Sequence, residues 1–76
     1  MRELVEYIAR SLVEDPERVS VEEHESEKGT VVHLRVAPED RGRVIGRQGR
    51  TARSIRTLLA AAASRSGTRV MLEILD

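Results

Sequence analysis

Apolar residues recur along the chain with two periods, and the switches between them mark the elements. Leu4, Ile8 and Leu12 repeat every four residues with Val5 and Ala9 beside them, while Glu3, Glu6, Arg10 and Glu14 fall elsewhere. That spacing predicts an amphipathic helix. Asp15-Pro16 is expected to stop it, because a residue before proline avoids helical backbone angles. Val19 and Val21, split by Ser20, open a strand that runs into the acidic residues 22–27, and Gly29 marks a turn. A second strand places Val32, Leu34 and Val36 on one face and Val31, His33 and Arg35 on the other.

Pro38 suits a helix's first turn, and Glu39-Asp40 suit the positive end of its dipole. This helix must be short, since Gly46 and Gly49 interrupt it. A longer helix starts near Arg50 or Thr51, with Ile55, Leu58, Leu59 and Ala62 as its expected buried stripe, and Gly67 ends it. Residues 69–75 alternate again, Val70, Leu72 and Ile74 pointing one way and Met71, Glu73 and Leu75 the other. The order is α-β-β-α-α-β, an α+β fold in one domain, residues 1–76. Two helices between the second and third strands suit a right-handed parallel crossover. A three-stranded mixed sheet with the helices on one face follows, its other face open.

Charge adds what periodicity cannot. The formal net charge is zero, yet residues 1–40 hold five basic groups against eleven acids, and residues 41–76 hold eight arginines against Glu73 and Asp76. Six of those arginines, at 41, 43, 47, 50, 53 and 56, fall within sixteen consecutive residues. Such a molecule either offers one face to a polyanion or neutralises itself by packing its halves together. The chain has no cysteine, its first residues are acidic where a signal peptide would be apolar, and no run approaches the roughly 20 apolar residues of a membrane span. A cytoplasmic protein is expected.

The arginines surround Gly46-Arg47-Gln48-Gly49, a tight connection between two helices. Glycine there permits positive φ and close approach of another backbone. The amides at the start of the long helix, with its dipole, make an anion site. A nucleotide P-loop would need a second glycine five residues after the first. Counting from Gly42 reaches Arg47, and from Gly46 reaches Thr51. A dinucleotide fingerprint would need glycine at position 44, which is valine. G-x-x-G between two helices remains, the loop that clamps about four nucleotides of single strand.

Val44-Ile45-Gly46-Arg47-Gln48-Gly49-Arg50 resembles the V-I-G-x-x-G core of KH domains, and the element order resembles their type II arrangement. Val36-Ala37-Pro38-Glu39-Asp40, the opening Leu4-Val5-Glu6-Tyr7-Ile8 and the closing strand are similar to the small bacterial KhpA family, over essentially the whole chain. The resemblance implies that Gly46 and Gly49 shape the loop while Arg47, Gln48 and their amides hold phosphates. Ile45 would join residues of an edge strand in an apolar floor for bases, or else pack in the core. Arg43, Arg50 and Arg53 would be auxiliary phosphate contacts, and Arg41 and Arg56 would pair with Glu39, Asp40 or the acidic hairpin as readily as with RNA.

With no Phe, no Trp and only Tyr7, the chain lacks the aromatic platforms of RRM and OB modules. Binding would rest on backbone contacts and apolar packing, with low sequence selectivity and steep salt dependence. No catalytic set is legible, so an enzyme is not expected. No cofactor is implied. His24 and His33 lack H-x-x-x-H spacing and a cysteine partner, so no metal site is expected either. Thr57, Ala60, Ala61 and Ser64 give the long helix a small, uncharged outer face, suited to a two-fold dimer or simply to helix propensity. The resemblance implies a homodimer, or pairing with a larger KH partner of the KhpB/Jag type. It further implies RNA chaperoning and post-transcriptional regulation linked to cell-wall and cell-shape control. The alternative is a KH-fold protein-interaction subunit with little RNA affinity of its own.

Overall fold

The computed structural model describes residues 1–75. Helix α1 spans Arg2–Leu12 and turns Val5 and Ala9 into the core. It ends at Val13, which is extended at φ −92°, ψ 162°, three residues ahead of the proline expected to stop it. Pro16–Arg18 form a single 3-10 turn leading to β1, Ser20–Ser26. Strand β2 covers Gly29–Arg35, and β3 covers Val70–Ile74. Between them lie a 3-10 turn at Pro38–Asp40, the short helix α2 at Arg41–Ile45, a turn at Arg47–Gly49 and helix α3 at Arg50–Ser64.

The sheet order is β1-β2-β3. The hairpin pairs β1 and β2 antiparallel, with Glu22 opposite His33. Strand β3 joins β2 in parallel, with His33 opposite Glu73. The expected mixed sheet and parallel crossover are therefore both present. Alternation decides the faces, because successive β side chains point to opposite sides. Val21, Val32, Leu34 and Leu72 enter one core with Val5, Ala9, Val44, Ile55 and Leu59 from the helices. Glu22, His24, His33, Met71 and Glu73 occupy the opposite face, which no helix among the described residues covers.

One expectation fails on α3. Its buried residues are Ala52, Ile55, Leu59 and Ala63. Leu58 is 49% exposed and Ala62 is exposed as well. The stripe is narrower than expected and rotated, following i, i+3, i+7 and i+11. From position 58 to 63 every residue is apolar, so periodicity carries no phase information there.

Asp40 anchors the helical layer. It is 3% exposed, and its carboxylate accepts the amide hydrogens of Glu14 and Asp15, both at 3.1 Å. The end of α1 is thereby tied to the start of α2. A carboxylate receiving two backbone donors satisfies groups that burial would otherwise leave unpaired.

Candidate functional site

The loop between α2 and α3 is held by unusual backbone angles. Gly46 has φ 78° and ψ 170°, and Gly49 has φ 75° and ψ 13°. At Gly46 a Cβ would lie 2.2 Å from Thr51 Oγ1, whereas at Gly49 no atom lies within 4 Å. Gly46 is therefore required twice, for its angles and for the room it leaves α3. Gln48 also has a positive φ of 57°, a left-handed conformation uncommon outside glycine and asparagine.

The loop uses some of its own donors. The Gly46 amide donates to Gly42 O at 2.8 Å, and the Gly49 amide to Gly46 O at 3.1 Å. The Arg50 amide donates to Arg47 O. Arg47 and Gln48 lie at the exposed tip of the bend, between these bonds. No side chain caps the 15-residue α3 at Gly49. An exposed bend at the uncapped, positive end of a helix dipole favours an anion there.

Beside the loop runs a groove of about 540 Å³ lined by Arg41, Ile45, Gly49, Ala52, Arg53, Arg56 and Ile74. Its floor is apolar and its sides carry three arginines. Arg56 donates from Nε and Nη2 to Leu72 O at 3.4 and 3.3 Å, which pins one guanidinium against the outer edge of β3. Ile45 is half-buried at the groove, so core and floor are not exclusive roles for it. Ile74 supplies the edge-strand contribution that the sequence left unassigned.

Ile45, Gly49 and Arg53 meet at this groove, with Gly46, Arg47 and Gln48 in the adjoining loop. Arg43 does not. It bonds to Glu14 at 3.1 Å and to Asp40 at 3.5 Å, so its charge serves the α1–α2 junction. Arg50 is exposed on the first turn of α3 but does not line the groove. Arg41 and Arg56, expected to pair with acids as readily as to meet RNA, both line it. A signal for Arg56 was available: Gly49, Ala52, Arg53 and Arg56 follow i, i+3, i+4, i+7 and so share one helix flank.

A profile described as the KH domain of KhpA/KhpB matches residues 2–74. This chain belongs to that family. Relatives named RNA-binding protein KhpA cover nearly its whole length. The one from Borreliella burgdorferi is 51% identical over 97% of this chain and 90% of its own. The Clostridium perfringens protein is 51% identical over 99% of this chain and all of its own. The protein from Aquifex aeolicus is 47% identical over all of this chain and 96% of its own. The family is a non-enzymatic one, and the three-stranded mixed sheet with its helices is consistent with the type II KH fold. Among the described residues no helix is long and apolar enough to cross a membrane.

Proposed function

We propose that the protein binds single-stranded RNA, seating the sugar-phosphate backbone on the Gly46–Gly49 loop and a few bases in the groove floored by Ile45, Ala52 and Ile74. The observation that carries this reading is the exposed, left-handed bend at Gly46–Gly49 before the uncapped start of α3, next to an arginine-sided apolar groove. The names of the KhpA relatives support RNA as the ligand. Little in the groove distinguishes one base from another, so the role is that of an RNA chaperone or post-transcriptional regulator acting in the cytoplasm.

The same reading includes an assembly through α3. Thr57, Ala60, Ala61 and Ser64 are all exposed, and Leu58 adds a larger apolar side chain beside them. Thr57 and Ser64 turn their hydroxyls back onto Arg53 O and Ala61 O, leaving a flat surface with few unmet polar groups. A homodimer, or a heterodimer with a KhpB/Jag-type protein, would use this face, and cell-wall and cell-shape control would follow from that pairing. Light scattering should give about twice the monomer mass, reduced by Ala61→Arg; a monomeric mass for the unchanged chain removes the homodimer.

Titration with short single-stranded RNAs tests the clamp. Arg47→Asp with Gln48→Asp should leave the circular dichroism spectrum intact and abolish binding. Unchanged affinity overturns the clamp. RNA binding that is absent from the unchanged chain, with partner binding present, favours a protein-interaction subunit built on the α3 face.

A further inference from the structure

On the face of the sheet away from the groove, the three strands bring together residues that are far apart in the sequence. Register places Glu22, His33 and Glu73 side by side across β1, β2 and β3. His24 lies two residues along β1 on the same face, diagonal to His33, within reach of an imidazole. The two rings stand 5.1 Å apart, centroid to centroid. One ligand atom each from Glu22, His24 and His33 lies within 4.8 Å of the other two. His33 Nε2 is 2.8 Å from Glu73 Oε1, and His24 Nε2 is 3.6 Å from Glu22 Oε1.

We propose that Glu22, His24 and His33 form a binding site for a Zn²⁺-type dication, with Glu73 as the adjoining carboxylate. Zinc bonds of about 2.0–2.2 Å to imidazole nitrogen and carboxylate oxygen set tetrahedral ligand atoms about 3.4 Å apart. The cluster is therefore about an ångström or so open, and Glu22 and His24, both exposed, can close it by rotamer change. His33 is half-buried and gives the site a fixed point. Glu73 either takes the fourth position or leaves it to water. Two imidazoles with carboxylates select a borderline transition metal over Mg²⁺ or Ca²⁺, which prefer all-oxygen shells.

Electrostatics at the site is balanced, so the ligand geometry carries the choice of ion. Glu23 and Glu25 alternate onto the other side of β1, so they add only longer-range negative charge to that of Glu22 and Glu73 at the site. Arg35 shares a small cleft with Glu22 and His33, and Arg2 another with Glu22 and His24; both oppose binding, against the carboxylates of Glu22 and Glu73. A bound ion would tie all three strands together across the uncovered face. Because neutral imidazole is the ligand, protons compete with the metal and acid releases it.

The test uses the full chain, free of any histidine tag, titrated with ZnCl₂ by calorimetry, with MgCl₂ as the hard-cation control. One Zn²⁺ per chain is expected, with the thermal midpoint raised by zinc and not by magnesium. His24→Ala and His33→Ala should each weaken binding at least tenfold, and Glu22→Gln by less. The chain has only two histidines, so their ring resonances in the unchanged protein report the site directly, whatever a variant does to folding. Both should shift together and saturate at one equivalent. Unmoved ring signals, saturation at half an equivalent, or zinc affinity indifferent to both alanine variants would overturn the proposal.

Discussion

Replacing Gly46 by alanine confronts the loop with two separate costs, and Gly49→Ala with only one. Gly46 sits at φ 78°, ψ 170°, a region occupied almost solely by glycine, where a side chain costs about 1–3 kcal/mol. The new Cβ would also lie 2.2 Å from Thr51 Oγ1, 2.6 Å from its Cβ and 2.8 Å from its backbone nitrogen. Thr51 is fixed in the first turn of α3, so either the loop opens or the helix shifts, at about 1–3 kcal/mol for forced overpacking. Gly46→Ala should thus lose about 2–6 kcal/mol, a large share of the roughly 4–11 kcal/mol expected of a domain this size. Gly49→Ala meets open space and bears only the left-handed penalty, about 1–2 kcal/mol. Urea unfolding followed by far-ultraviolet circular dichroism measures both. With a slope near 1 kcal/mol per molar, the Gly46 variant should unfold at least about 1 M earlier than the Gly49 variant. Thr51→Ala should rescue little, since Thr51 Cβ and N remain in the way. Equal midpoints for the two variants, or full rescue by Thr51→Ala, would refute this account of the bend.

Asp40→Ala should cost about 2–4 kcal/mol, because it strands two amide donors against a buried site; thermal unfolding should fall by roughly 8–30 °C, with Asp40→Asn intermediate. A loss below about 1 kcal/mol would mean that Glu14 and Asp15 find other acceptors. Arg53→Ala should weaken RNA about three- to tenfold, as expected for one charged contact, while Arg43→Ala should leave affinity within about twofold and lower stability slightly; fluorescence anisotropy with a labelled single strand separates them, and the reverse order contradicts the placement of Arg43. If about three or four arginines meet phosphates, log affinity should fall against log salt with a slope of about −2 to −3, and a flat response in the same assay would exclude an electrostatic clamp.

The parts of the fold that were legible are those with a strict period or a breaker. Alternation at 31–36 and 70–75 assigned both faces of the sheet, and two helices between parallel strands left one topology. Phase was lost where composition was uniform: with Leu58, Leu59 and the alanines contiguous, only packing against the sheet selects Leu59 and Ala63 over Leu58 and Ala62. The loop's glycines were readable because angles and contacts demand them. Which arginine faces the groove was not, since Arg41, Arg43 and Arg56 differ only in what the tertiary fold sets beside them. Sequence spacing also hid the histidine pair, because a hairpin brings together residues nine apart that no linear motif would join.

The two walls of the groove are assembled on different terms. Ile45, Gly49 and Ala52 come from neighbouring stretches of chain and form wherever α2 and α3 pack. Ile74 arrives from β3, an edge strand with only Leu72 fully buried, and that strand also supplies the carbonyl that steadies Arg56. Partial detachment of β3 would therefore leave the glycine bend in place, yet without a ledge opposite it. Amide exchange along residues 70–74 thus reads the lifetime of the groove itself, separately from that of the turn beside it.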